Sequence, residues 1–355
     1  GMSTTNYVCY RLPEQKEYVR LEQHEGEPLA LKSVKDLKDH HGFVFAPFQP
    51  TDKTPVWLLQ ADKVEKKVIR EVCQRWSEVP DSPLTNRKLE EYSKLERLNY
   101  HLRFSLCKKY FLLGKVSKVV IARHVTEFSH TGQDPEALFL RACQLYPHQL
   151  IALVCLKQAG TWLMATPEVL LEGDGQNYHT MALAGTQKMP DNYQPGKEMK
   201  WSEKNRKEQR FVASYIGDTL QPYADELTHS HPHTTMAARL LHLCTDFNFK
   251  LKEDAQLADV LDALHPTPAV CGLPKEEART IILVSEKDDR KYYSGFCGPY
   301  DPKGETRLFV TLRCMEINDN NYMLHAGGGI VPGSKENEEW KETEMKLNTM
   351  RDVLR

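Results

Sequence analysis

Leu150–Leu183 reads LIALVCLKQAGTWLMATPEVLLEGDGQNYHTMAL. Its apolar and β-branched runs, Leu150 to Leu156, Thr161 to Leu171 and Tyr178 to Leu183, are separated by Gly, Asp and Asn, which predicts a meander of strands. KVVIAR, Lys118 to Arg123, adds a strand ahead of it, and GFVFAPF and PVWLLQ read as strands within residues 1–60. Between them, Val64, Val68, Val72 and Trp76 recur every four residues and predict a helix over Val64 to Leu113. Further helices are expected over Ser202 to Leu220, Thr234 to Leu243, Asp254 to Leu264 and Glu336 to Leu354. Strands are expected at Thr280 to Ser285, Tyr292 to Gly295, Thr306 to Ile317 and Tyr322 to Ala326. There is no repeat and no charged or proline-rich linker, and the βαβα alternation of a doubly wound fold is missing. The expectation is one α+β domain over residues 1–355, antiparallel sheet with helices outside.

With 355 residues, 40% of them hydrophobic, the chain fills a real core. A net charge of −2 argues against nucleic acid or an anionic membrane as partner, because both need a clustered excess of Lys and Arg. The longest apolar run, Leu150 to Leu156, falls far short of the roughly 20 residues that cross a bilayer. The start shows no basic stretch followed by an apolar one, and Gly1 ahead of Met2 reads as a residue left by tag removal. Nine cysteines without a CxxC pair, most in apolar segments such as ALVCL and LLHLC, predict free thiols in a reducing cytoplasm, with neither disulfides nor a zinc site.

Glu339, Glu342 and Lys346 share one face of the last helix, which by itself describes an ordinary solvated Glu–Lys pair. The preceding HAGGGIVPGS lets backbone approach a ligand, although no phosphate-loop pattern is present. Glu208 lies at the edge of the apolar face of its helix. If it converges with Glu342, two hard oxygen donors suit Mg²⁺. HSHPH, with His229, His231 and His233, has no Cys or acidic residue at a zinc-like spacing and reads as a polar turn around Pro232. His242 in LLHLC reads as a satisfied core histidine, Lys118 as a sheet-edge lysine and Glu168 as a turn residue.

Taken in order, KVVIAR, TPEVLL, ALAGT, the Glu of KNRKEQ, LLHLC, HPTPAVCG, YYSGFCG, TLRC, HAGGGIVPGS and EEWKETEMK resemble the chorismate-utilising enzymes, whose members include anthranilate, salicylate and isochorismate synthases. The likeness covers residues 112–355, the family core, and leaves residues 1–111 as a divergent part. Lys118 is similar to the lysine of the family's water-using members, and Ala184 departs from the lysine of aminodeoxychorismate synthases. The likeness is nearest to the isochorismate synthases. It implies a sandwich of antiparallel sheets and the Mg²⁺-dependent, reversible addition of water to chorismate at ring carbon 2, with loss of the hydroxyl at carbon 4.

The resemblance implies Lys118 as general base and Glu168 as general acid, with Glu208, Glu339 and Glu342 around Mg²⁺. It implies Arg313 and Tyr293 on the enolpyruvyl carboxylate, donors from Gly185, Thr186, Gly327 and Gly329, and His242 facing the ring near carbon 4. Lys346 would balance charge beside the glutamates, and Ala269 with Val270 would line the wall that sets the nucleophile. A monomer without a glutamine amidotransferase, serving menaquinone biosynthesis as the commonest use of isochorismate, is the expected setting; catechol siderophores are another. Salicylate synthase, or a silent chorismate-binding subunit, are the alternatives. Gln209 stands where the family commonly has His, and Gly328 where alanine is common.

Overall fold

The computed structural model of the chain describes residues 5–72, 86–128, 133–286 and 290–355. The strands begin with β1 (Asn6–Arg11), β2 (Glu17–Gln23), β3 (Leu29–Leu31), β4 (Gly42–Ala46), β5 (Val56–Leu59), β6 (Lys63–Val68) and β7 (Lys118–Phe128). The central group is β8 (Leu150–Leu156), β9 (Gly160–Thr166), β10 (Val169–Gly173), β11 (Asn177–Lys188), β12 (Ala224–His229), β13 (His233–Ala237) and β14 (Leu240–Leu251). The last are β15 (Gly272–Leu273), β16 (Phe296–Tyr300), β17 (Thr306–Val310), β18 (Cys314–Ile317) and β19 (Asn321–Ile330). Helices are α1 (Asn86–Leu112), α2 (Pro135–Leu145), α3 (Glu203–Leu220), α4 (Leu257–Leu264), α5 (Lys275–Ser285) and α6 (Glu336–Leu354).

Two antiparallel sheets result. One runs β15-β7-β19-β18-β9-β8-β1-β2-β6, the other β12-β14-β11-β10-β17-β16-β4-β5-β3 with β13 added on β14. They face each other across Val8, Trp162 and Met164 of the first and Phe45, Cys297 and Phe309 of the second. Both outer faces carry helices. Leu138, Phe139 and Met350 of α2 and α6 cover the first sheet, and Val212, Ile216 and Leu261 of α3 and α4 cover the second. This is why LIALVCL is apolar at almost every position: Ala152 and Val154 point between the sheets while Ile151 and Leu153 point at helices. The α+β sandwich expected from the sequence is the observed fold, and strands from residues 1–60 complete both sheets.

Two runs that look continuous in the sequence change sheets instead. In LMATPEVLL, β9 ends at Thr166 in the first sheet and β10 starts at Val169 in the second, because Pro167 has no N–H with which to continue a ladder. The predicted strand Thr306 to Ile317 returns the other way: β17 ends at Val310, Arg313 takes a φ of 48°, and β18 begins at Cys314. The crossings are tied together. Val310 N–H donates to the Glu168 carbonyl at 2.9 Å and Ala165 N–H to the Arg313 carbonyl at 3.0 Å.

Other expectations fail for physical reasons. Val64 and Val68 lie on β6, since a four-residue interval also marks one face of a strand; both are exposed, and Trp76 and Cys73 fall outside the described residues. The helical propensity of Thr234 to Leu243 is overridden by pairing: β13 and β14 form a hairpin, and β14 also pairs with β11 from Lys250 to Leu240. Thr280 to Ser285 is helical despite its β-branched residues, as Ala278, Ile281 and Ile282 of α5 pack with Val119 and Ile121 of β7. Tyr292 to Ser294 form a turn ahead of β16. The three glycines of HAGGG are not a loop but lie inside β19, paired with β7. α3 and α6 match their expected spans, and Ser202 Oγ caps α3 by accepting from Asn205 N–H.

Among the described residues no helix is long and apolar enough to cross a membrane. Trp162 is fully buried between the sheets against Phe45 and Tyr292. Trp162→Ala is expected to cost about 3–5 kcal/mol, read as a lower denaturant midpoint at unchanged slope; a loss under about 1 kcal/mol would mean the inter-sheet layer is not a packed core.

Candidate active site

The two tied crossings leave a gap between the sheets into which Glu168 and Arg313 project, and every residue assigned a role from the sequence lines this one cleft. Lys118 opens β7, a strand flanked by β15 and β19, and is buried rather than at a free sheet edge. Its Nζ lies 3.1 Å from Glu208 Oε1 on α3. The approach depends on Gly329: a Cβ there would stand 2.6 Å from Lys118 Cε and 3.4 Å from Glu208 Oε1. Gly327 makes the same allowance for Tyr293, whose hydroxyl would lie 2.5 Å from an added Cβ.

Glu168 is buried, and loss of hydration pushes its carboxyl up to about 7, against the opposing pull of Lys118, Lys346 and Arg313. A carboxylic acid that keeps its proton near neutrality is a competent proton donor.

His242 is not in a helix but on β14, and its surroundings set its protonation. Burial, then the charges of Arg313 and Lys346, lower its pKa to about 3, so the ring is neutral. Nδ1 donates to the Gly185 carbonyl at 2.7 Å, which leaves Nε2 to accept from Arg313 Nη2 at 3.1 Å. That carbonyl is turned inward by a bulge, since the β11–β14 register slips between Ala184 and Gln187 and Gly185 takes a φ of 72°. His242 therefore orients Arg313, whose Nη1 is buried with no hydrogen-bond partner among the described residues. A guanidinium held on one side and unpaired on the other is arranged for an incoming carboxylate.

Across the cleft, α6 and α3 bring Glu339, Glu342 and Glu208 together. Burial raises the first two above the ordinary carboxylate range, Glu339 further through Glu342 and both through Glu208. Lys204 Nζ at 3.9 Å from Glu339 Oε1 offsets this only in part. Three carboxylates that repel one another at a partly dry wall, all offering oxygen, fit a hard divalent cation such as Mg²⁺. Lys346 donates from Nζ to the Gly327 carbonyl at 2.8 Å. Thr186, Ala269 and Val270 complete the wall.

Sequence reasoning missed Lys204, Asn205 and His325, which line the same cleft. Asn205 lies one turn before Glu208, so helical spacing could have found it. His325, Gly327 and Gly329 alternate onto one face of β19, which runs four residues past the expected end at Ala326. The departures at 209 and 328 do not line the cleft. Gln209 Nε2 donates to the Ala182 carbonyl and Thr245 Oγ1, and an alanine at 328 would make ordinary contact with Glu339 and Thr343.

The family model described as chorismate binding enzyme matches residues 54–355. Isochorismate synthase EntC of Escherichia coli K12 is 34% identical over 245 residues, which is 68% of this chain and 63% of that protein, so the chain aligns with less than two thirds of that relative's length. In fold, the putative 2,3-dihydroxybenzoate-specific isochorismate synthase DhbC of Bacillus anthracis superposes with a TM-score of 0.82 at 23% identity, over 99% of this chain and 96% of that one. MenF, the menaquinone-specific isochorismate synthase of Escherichia coli, gives 0.81 at 20% identity, over 100% and 90%. Its sequence match and its two-sheet architecture together make the chain a member of the chorismate-binding enzyme family.

Proposed function

We propose that the chain is an isochorismate synthase, interconverting chorismate and isochorismate with Mg²⁺. The observation that carries the reading is the pairing, in one cleft, of a buried lysine and a proton-holding Glu168 with a three-glutamate wall. The names of EntC, DhbC and MenF agree with it.

Chorismate carries two carboxylates. Arg313 Nη1 and the Tyr293 hydroxyl are assigned to the enolpyruvyl carboxylate, and Gly185 and the Thr186 hydroxyl to the rest of the ring substituents. Bound Mg²⁺, held by Glu208, Glu339 and Glu342, would neutralise the ring carboxylate that these glutamates otherwise repel. Lys118, as general base, takes a proton from water as the water oxygen bonds to ring carbon 2. The ring double bonds shift, the bond from carbon 4 to its oxygen breaks, and Glu168 gives that oxygen its proton so that it leaves as water. One water enters and one leaves, so substrate and product are isomers and the reaction runs both ways. Water is a poor nucleophile and hydroxide a poor leaving group, so a base on one side and an acid on the other lower both barriers. His242 is assigned to holding Arg313 rather than to the ring. The eight described cysteines are free thiols, in keeping with a cytoplasmic enzyme, which we take to be a monomer serving menaquinone biosynthesis.

Four outcomes test this. Glu168→Gln is expected to lower turnover by about a hundredfold or more while chorismate still binds by calorimetry; full activity would remove Glu168 from the chemistry. Since the acid must be protonated in the free enzyme, kcat/KM should fall as pH rises above about 7, and this limb should be absent from the residual rate of Glu168→Gln. Gly329→Ala should leave the melting temperature nearly unchanged, because only the flexible end of Lys118 must move. Its kcat/KM should fall about tenfold to a hundredfold. Excess chelator, or Glu342→Ala, should abolish isochorismate formation followed by chromatography, with Mg²⁺ restoring only the chelated enzyme. Salicylate with pyruvate as the products would replace this reading with a salicylate synthase.

A further inference from the structure

On the face of β14 that carries His242, the next two side chains are Cys244 and Asp246, and neither belongs to the cleft just described. The hairpin register sets His233 of β13 directly opposite Cys244, and on the other side His179 of β11 lies diagonally from Asp246, through its pairing with Asn248. Three adjacent strands thus present His233, Cys244, Asp246 and His179 on one face. A ligand atom from each of His233, Cys244 and Asp246 lies within 4.8 Å of the other two. Asp246 Oδ2 is 2.8 Å from His233 Nε2, and Asp246 Oδ1 is 2.7 Å from His179 Nε2 and 3.9 Å from Cys244 Sγ. His179 is in turn held through Nδ1 by Glu172 Oε1 at 2.9 Å, and Glu172 by Arg307 at 2.9 Å.

We propose that His233 Nε2, Cys244 Sγ and Asp246 Oδ2 bind a transition-metal ion of the zinc class, distinct from the glutamate cluster, with His179 positioning Asp246 and water in the fourth place. Imidazole, thiolate and carboxylate on rigid strands are a borderline-soft donor set that suits Zn²⁺ and not Mg²⁺. The chain from Glu172 through His179 to Asp246 supplies the outer partners that fix a ligand's orientation. Cys244 is buried, whereas His233 and Asp246 stay partly exposed and leave a path for the ion to enter. Bound there, the ion would staple β13, an addition at the sheet margin, onto β14 one strand position beyond His242. HSHPH has no cysteine or acid at a zinc-like spacing in the sequence, but strand pairing brings Cys244 and Asp246 to His233. His229 takes no part, since its Nδ1 meets the Ser230 carbonyl.

The test is a Co²⁺ titration of the reduced, chelator-treated full chain in excess Mg²⁺, which keeps the glutamate cluster filled and silent. One Co²⁺ per chain with a thiolate-to-metal charge-transfer band, displaced by Zn²⁺, is expected. The band should vanish in Cys244→Ser, and His233→Gln, a change at a partly exposed position, should weaken Zn²⁺ binding at least about tenfold. Zn²⁺ should also raise the melting temperature of the unaltered chain, which keeps the test valid if a variant misfolds. No charge-transfer band in the unaltered chain, or a band and affinity unchanged in both variants, would overturn the site.

Discussion

Two backbone hydrogen bonds, from Val310 N–H to the Glu168 carbonyl and from Ala165 N–H to the Arg313 carbonyl, tie together the places where the chain leaves one sheet for the other. The sheets are otherwise joined by apolar packing, which tolerates no buried charge. At the crossings the ladders end, the packing opens, and polar side chains point inward without breaking a strand. Glu168 and Arg313 occupy that opening because a proline and a residue with positive φ turn the backbone there. The cleft follows from how a two-sheet fold changes layers.

What surrounds the opening is a balance of charges in a poorly hydrated space. Lys118, Lys346 and Arg313 supply the positive charge and Glu208, Glu339 and Glu342 the negative, with Lys118 Nζ 3.1 Å from Glu208 Oε1. Loss of hydration raises Glu168, Glu339 and Glu342 and lowers Lys346 and Arg313, the latter to about 10. His242 contributes by staying neutral. A charged imidazole would repel Arg313, whereas the neutral ring accepts from it and leaves the other guanidinium nitrogen for substrate. Glycine at 327 and 329 gives this crowd room, and their place inside β19 fixes where the room is.

Much of this could be read in the sequence, though unevenly. The strand meander around LIALVCL and the amphipathic helices α3 and α6 follow from periodicity, since each buries a face that local spacing defines. The hairpin of β13 and β14 and the helix α5 could not be read, because pairing with β11 and packing on β7 outweigh local propensity. The site residues were found through family motifs. By physics alone Lys118, Glu168 and His242 looked structural, since nothing local says that β7, β14 and a sheet crossing meet. His325 lies in an expected strand, but the shared face that joins it to Gly327 and Gly329 is hidden when the strand is ended at Ala326, and the His233, Cys244 and Asp246 grouping is hidden where linear spacing stands in for register.

The most direct test of the proposed chemistry is to run the reaction in water enriched in heavy oxygen and locate the label by NMR and mass spectrometry. Water attack with Lys118 as base and departure through Glu168 predicts isochorismate labelled at the carbon 2 hydroxyl, and recovered chorismate labelled at carbon 4 after the reverse reaction. Isochorismate formed without label would mean that the hydroxyl moves within the substrate, and would contradict the roles assigned to both residues.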